Sequence, residues 1–303
     1  MLGKSSESVH VLGNCQVGGL TASLRLLVPN VRFSRKLISG ERKELKRELI
    51  KHSKRKLLIQ DSVLRIVNSD ETLRGLLSED YTVYPTITFS AFHPDTHYMF
   101  CNDRVIKNGL GSDWNSRILV YAYLNELTVG ESLQLFNKES FRNLGYFDEW
   151  SKSSEELRRT FEDCSFDYGQ WIRGVQRSGQ FMYGINHPMP VGLTHLAQQI
   201  ADREFSSSSS LVNQVNVEPK DYLSHIVWPL YPEIAEEFGM QGDYNWRVGR
   251  KTANLQEFVQ RCFNSWDHLG LRSLEIKYVP DSTVRDNLVL QPFLDGTNGS
   301  KPI

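Results

Sequence analysis

A cysteine stands in a glycine-bounded turn near the N-terminus, in Val9-His10-Val11-Leu12-Gly13-Asn14-Cys15-Gln16-Val17-Gly18-Gly19-Leu20. Val9, Val11 and Leu12 form an apolar run of strand type, and Leu20, Leu24 and Leu27 recur at helical spacing beyond the turn. The pattern predicts Cys15 at the carboxyl end of a strand, just before the N-terminal amides of a helix. Amide dipoles there favour thiolate over thiol, which makes the residue a candidate nucleophile. The alternative is a packed structural cysteine, since unpaired cysteine is among the most buried residue types.

Several other readings of this turn fail on spacing. A dinucleotide fingerprint needs glycine where Cys15 stands, because the backbone must approach the pyrophosphate closely. A P-loop would end in Gly-Lys-Ser/Thr, which is absent, and a cysteine-phosphatase loop would carry arginine where the chain has Thr21. Acyl chemistry remains: a thiolate attacks a carbonyl and nearby donors hold the oxyanion. Asn14, Gln16 and the amides of Gly18 and Gly19 are the local donors, with Gly13 setting the turn.

Such a nucleophile needs a base. Of eight histidines, His10 lies within the first predicted strand and His52 in a charged helical stretch, which makes both weak candidates. His93 and His187 are each followed by proline, in Phe92-His93-Pro94-Asp95 and Ile185-Asn186-His187-Pro188. A residue before proline is held extended, so each imidazole is fixed at the end of an element. His93 is expected to emerge from the fourth strand on the same sheet edge as Cys15, with Asp95 as an orienting partner. His187 and Asn186 would then line the acceptor pocket. His93 and His97 could also be paired as metal ligands, but no third ligand accompanies them, and no metal is expected.

The elements that must position these residues alternate over the first part of the chain. Strands are predicted at Val31-Arg32-Phe33, Lys56 to Gln60 and Val83 to Phe89, with helical stretches at Leu45 to Lys56 and Leu73 to Leu77. This alternation implies an α/β fold with a parallel sheet, in which ligands bind outside the carboxyl ends of the strands. Arg35 and Lys36 are expected to follow the second strand on that edge, where they could meet phosphates. From residue 112 the pattern turns helical: Asn115 to Glu126, a capping box at Thr128 to Glu131, a second capping signal at Ser153 to Glu156, Val191 to Phe205, and a Leu255 to Trp266 stripe that includes Cys262. The expected organisation is a sheet region over 1–111 and a mainly helical region over 112–290. Ser206 to Ser210 reads as a polar joint, and 291–303 as a polar, poorly ordered tail.

Composition bounds the class. The 303 residues are 40% hydrophobic and 23% charged, as in an ordinary soluble globular protein. A formal charge of −1 argues against general binding to nucleic acid or membrane surfaces. The four cysteines are scattered without a CxxC pair, which suits a reducing compartment better than a disulfide framework. No stretch approaches the ~20 apolar residues of a membrane span, and residues 1–8 lack the apolar segment of a signal peptide, so a cytoplasmic location is expected.

Gly13-Asn14-Cys15-Gln16, Phe92-His93-Pro94-Asp95 and Ile185-Asn186-His187-Pro188, in that order, resemble the WcbI-type capsular polysaccharide biosynthesis family. The resemblance spans most of the chain, including the segment from Leu135 to Tyr146. It implies an SGNH/flavodoxin-like sheet and a coenzyme A-binding acetyltransferase that O-acetylates a heptose-type sugar with a Gln-Cys-His group. Cys15 and Gln16 match two members; the third is His93 or His187. Either Cys15 carries the acetyl group as a thioester, or a histidine activates the sugar hydroxyl for direct attack on acetyl-CoA. Competing readings are an SGNH-like cysteine esterase or deacetylase and a non-enzymatic sugar- or nucleotide-binding module. The esterase is disfavoured because Asp221 and His225 miss the Asp-x-x-His spacing by one residue.

Overall fold

The computed structural model describes residues 7–101, 104–205, 219–273 and 277–279. The Ser206 to Ser210 joint and the tail from Gln291 lie outside them. The chain divides into two compact units that it visits alternately. The first takes Met1–Ile87, Glu156–Phe181 and His187–Ser224; the second takes Thr88–Glu155, Met182–Asn186 and His225–Ile303.

The first unit is built on β1 (Ser8–Gly13), α1 (Val17–Leu27), β2 (Arg32–Leu37), α2 (Arg42–Lys51), β3 (Lys56–Gln60), α3 (Asp61–Asn68), α4 (Glu71–Arg74) and β4 (Tyr81–Tyr84). The strands form a parallel sheet in the order β2-β1-β3-β4. This is the alternating α/β pattern read from the sequence. β1 and β3 are central and almost wholly buried, which is why Leu57-Leu58-Ile59 is continuously apolar rather than alternating. The edge strand β2 is mostly polar, as an exposed edge requires.

Alternation along β1 divides its side chains between two faces. Leu12 joins a core with Leu45 and Leu49 of α2, Ile59 of β3 and Val63 and Val67 of α3. Leu45 and Leu49 are the only fully buried residues of the highly charged α2, so this i,i+4 pair decides which face the helix turns inward. Burying one such leucine stabilises the fold by about 1.5–3 kcal/mol. α1 packs against the helix Pro190–Phe205, where Ser23 and Thr194 hydroxyls meet at 3.2 Å.

Several predicted boundaries shift. β2 runs through Leu37, so Arg35 and Lys36 lie inside it, opposite Val11 and Leu12, rather than after it. β4 ends at Tyr84, because Pro85 has no amide to continue the ladder. His93 therefore does not emerge directly from this strand. The capping signal at Ser153 does not start a helix: one helix runs through Glu149–Asp163, and the Ser153 hydroxyl instead meets Ser90 Oγ at 2.8 Å. The Thr128–Glu131 capping box forms as read.

In the second unit, the strand Thr96–Cys101 pairs antiparallel with Trp114–Ser116, which leads into the helix Arg117–Leu124. Trp228, Trp246 and Phe258 form an aromatic core there, with the Trp246 and Phe258 rings stacked at 4.2 Å. The helix Leu255–Leu269 buries Phe258, Val259, Cys262, Phe263 and Trp266 along one face, and Cys262 is a packing residue as the stripe predicts. Among the described residues, no helix is long and apolar enough to cross a membrane.

Candidate active site

The strand order places a switch point between β1 and β3: the chain leaves β1 toward β2 on one side and returns to β3 on the other. Open α/β sheets bind ligands at the carboxyl edge of such a crevice. Cys15 stands there, half-buried, in the turn between β1 and α1. The strand–turn–helix read from the sequence is the one observed.

The turn is fixed from several sides. Asn14 Oδ1 accepts the Gln16 amide at 3.0 Å, and the Asn14 carbonyl accepts the Val17 amide at 3.0 Å. The same Asn14 Oδ1 lies 4.0 Å from Cys15 Sγ. α1 has no side-chain cap, so the Gly18 and Gly19 amides, in its first turn, have no intrahelical acceptor. They follow the Gln16 and Val17 amides, which are both taken by Asn14.

Gln16 is buried, and its amide is a hinge pin. Its Nε2 donates to the Ile87 carbonyl at 2.7 Å, while its Oε1 accepts the Ile87 amide at 3.1 Å and Gln60 Nε2 at 3.2 Å. These bonds tie the cysteine turn to β3 and to the segment after β4. In this geometry Gln16 positions Cys15.

Gln60 and Tyr84 complete the support, and neither is singled out by the sequence reading. Gln60 Oε1 accepts the Asn14 amide at 2.7 Å, and the Tyr84 hydroxyl donates to the Leu12 carbonyl at 3.0 Å. A Cβ on Gly13 would run into the Tyr84 hydroxyl, so only glycine lets β1 end against this ring. A polar residue closing the apolar run Leu57-Leu58-Ile59 on the ligand edge was the signal available for Gln60.

The two cations expected to meet phosphate differ. Lys36 Nζ is 2.6 Å from Glu44 Oε1, and this pairing raises the lysine pKa; its charge is committed to α2. Arg35 donates to the Gly18 carbonyl at 3.3 Å and lies over the Tyr222 ring at 4.6 Å. Lys220 also lies over this ring, its Nζ 5.2 Å from the Tyr222 centroid. Arg35 hydrogen-bonds the Tyr222 hydroxyl and lowers its pKa. The Tyr222 ring covers Gly18, where a Cβ would sit 3.0 Å from ring carbon, and Leu193 packs where a Cβ of Gly19 would be. Lys220 and Tyr222 lie in no motif of the sequence, which gave no signal for them.

His187 is buried and belongs to the same unit as Cys15, followed by Pro188 at the entry to the helix Pro190–Phe205. His93, Asp95 and Asn186 belong to the second unit. The His93 ring is fully buried and hydrogen-bonds the Trp228 backbone; burial dominates and pulls its pKa down to about 3.

Asp95 is not available to orient His93 as the sequence suggested. Its Oδ1 accepts the Ile118 amide at 3.0 Å and the Tyr146 hydroxyl at 2.8 Å, and its Oδ2 accepts the Tyr231 hydroxyl at 2.8 Å. The carboxylate anchors the start of the helix Arg117–Leu124, where the dipole favours negative charge. Burial raises its pKa, and hydrogen bonds from Ser116, Ile118, Tyr231 and Tyr146 oppose that rise. Asn186 donates to the Tyr98 hydroxyl at 2.9 Å, which also accepts the Trp114 indole at 3.0 Å. Asp221, the carboxylate weighed for an esterase, accepts the Leu223 and Ser224 amides in a local turn.

A cysteine presented on the crevice of a parallel α/β sheet, with its turn braced by buried amides, is an arrangement suited to a group-transfer or hydrolytic enzyme. The model of the family described as polysaccharide biosynthesis enzyme WcbI matches residues 8–204, and the chain belongs to that family. It is thus a polysaccharide biosynthesis enzyme, and a sugar is its implied substrate. No curated protein and no solved structure matches the chain.

Proposed function

We propose that this enzyme is an acetyl-CoA-dependent O-acetyltransferase acting on a sugar hydroxyl, of heptose type, in capsular polysaccharide biosynthesis. The observation that carries the reading is the half-buried Cys15 held in a rigid turn at the switch point of the sheet. The β2-β1-β3-β4 order also supports the SGNH/flavodoxin-like assignment. Arg35, Lys220 and Tyr222 supply a cationic and aromatic surface beside Gly18 that suits the nucleotide end of coenzyme A. Lys36, paired with Glu44, is replaced in this role by Lys220.

In a thioester route, the Cys15 thiolate attacks the acetyl carbonyl. The tetrahedral oxyanion is held by amides of the α1 N-terminus, and the bond to the coenzyme A sulfur breaks. The departing thiolate takes a proton. The sugar hydroxyl then attacks the Cys15 acetyl group, gives its proton to a base and restores the thiolate. In a direct route, the hydroxyl attacks acetyl-CoA itself, and Cys15 and Gln16 only position the thioester.

His187 is the better base. His93, held to about pKa 3 by burial, takes up a proton weakly near neutral pH. His187 shares a unit with Cys15.

The test is a transfer assay with acetyl-CoA and a heptose-type acceptor, alongside melting curves with coenzyme A. Coenzyme A should raise the melting temperature in a dose-dependent way. Cys15→Ser should retain that shift and lose most transfer. Mass spectrometry after acetyl-CoA alone separates the routes, since one acetyl group on Cys15 marks the thioester. No melting shift at millimolar coenzyme A, or full transfer by Cys15→Ser, would overturn the proposal.

A further inference from the structure

Two histidines set aside as bases converge on one carboxylate in the first unit. His10 of β1 and His52, the C-terminal cap of α2, stack with ring centroids 3.6 Å apart and an interplanar angle of 13°. Their Nε2 atoms lie 3.2 and 3.5 Å from the same Glu48 Oε2. Both rings are buried, and one ligand atom from each of the three residues falls within 4.8 Å of the others. Glu48 and His52 are an i,i+4 pair on one helical face, and His10 reaches them across the sheet–helix interface.

An ordinary ion pair does not account for this cluster. His10 Nδ1 is 2.8 Å from Ser34 Oγ, and the Ser34 hydroxyl in turn reaches the Val9 carbonyl at 3.4 Å. When the Ser34 hydroxyl donates to Val9, His10 Nδ1 is the donor to Ser34 and Nε2 keeps its lone pair. The buried Nε2 makes no aligned hydrogen bond, although it lies within ion-pair distance of Glu48. A lone pair facing a carboxylate is repulsive unless a cation stands between them.

We propose that His10, Glu48 and His52 form a binding site for a divalent transition-metal ion of the zinc class, which ties α2 to β1. Neutral imidazole and carboxylate are the donors such ions take, and bond lengths near 2.1 Å put two ligands of a tetrahedral centre about 3.4 Å apart. The observed 3.2 Å between His10 Nε2 and Glu48 Oε2 is close to that spacing. Ser34 is the outer partner that fixes the tautomer and direction of His10. An ion must lie in the plane of each ring it binds, so one ring of the stack turns about its Cβ–Cγ bond. His52 is the one that turns, because its Nδ1 makes no hydrogen bond that holds it. Three protein ligands leave the fourth position to water.

The experiment uses the full chain, stripped with a chelator and titrated with Co²⁺ and with Zn²⁺. One Co²⁺ per chain should bind with the visible absorption of a tetrahedral nitrogen–oxygen site, and Zn²⁺ should displace it and raise the melting temperature. Glu48→Gln and His52→Gln should each weaken binding about tenfold or more, with circular dichroism confirming the fold. Cys15→Ser should bind as the parent does, which keeps this result separate from the acyl-transfer site. The site is refuted by no uptake at micromolar metal, by unchanged uptake in both cluster variants, or by uptake lost in Cys15→Ser.

Discussion

Gln60 Oε1 accepts the Asn14 amide at 2.7 Å, and its Nε2 reaches Gln16 at 3.2 Å, so one side chain at the end of β3 holds both neighbours of Cys15. Gln60→Glu keeps an acceptor for Asn14 but replaces the donor facing Gln16 Oε1 with a second acceptor. The buried mismatch should destabilise the fold by about 1–3 kcal/mol. The Cys15 turn should loosen with it. We expect slower acyl transfer with little change in coenzyme A affinity, because the cationic surface of Arg35 and Lys220 is left in place. Equal losses in binding and turnover would instead show that Gln60 serves only the fold.

Gly13 and Tyr84 make a second, separable pair. Gly13→Ala places a methyl group against the Tyr84 hydroxyl, and overpacking of this kind costs about 1–3 kcal/mol. Tyr84→Phe removes the oxygen in the way, at the expense of its bond to the Leu12 carbonyl. The double variant should therefore be more stable than the two single losses added together. Strict additivity in denaturant unfolding would show that the hydroxyl is not what Gly13 avoids.

Much of this scaffold was legible in the sequence because its signals are local. A continuous apolar run marks a central strand, leucines at helical spacing mark α1, and Thr128 with Glu131 marks a capping box. What could not be read depends on which strands become neighbours. His10, Glu48 and His52 lie on two elements, and only the β1–α2 packing brings them together. Arg35 and Lys36 stand side by side in sequence, yet alternation along β2 and the Glu44 carboxylate give them opposite fates. Asp95 looked like a partner for the nearby His93. Its oxygens are instead drawn to Tyr146 and Tyr231, which come from distant segments.

Reactivity should separate the thiols. Burial pushes the Cys164 thiol up to about 12 and the Cys262 thiol to about 12 as well, so neither presents appreciable thiolate near neutral pH. Cys15 is half-buried beside the uncapped N-terminus of α1. Under limiting iodoacetamide at neutral pH, peptide mapping should find Cys15 modified well before Cys164 and Cys262. Coenzyme A should protect it. Preferential labelling of either buried thiol would indicate that the turn shields Cys15 more than the transfer chemistry allows.

The second unit should be sensitive to acid, and His97 provides a way to test why. Its ring is fully buried, and burial together with the Arg117 charge holds its pKa to about 3, against hydrogen bonds to the Asp95 and Asn115 backbone that act the other way. In the unfolded chain the same imidazole titrates at about 6.5. Between those values the unfolded state binds the extra proton. Stability is therefore greatest above the unfolded value and falls as the pH drops from about 6.5 toward 3. His93 adds a second group of the same sign, lowered mainly by burial. His97→Gln removes one of the protons taken up on unfolding, whatever the substitution costs at pH 7. Urea unfolding measured from pH 7 down to pH 5 should show a shallower loss of stability with acid in this variant than in the parent. An unchanged slope would mean that the His97 ring is already charged or exposed in the folded protein, contrary to its burial.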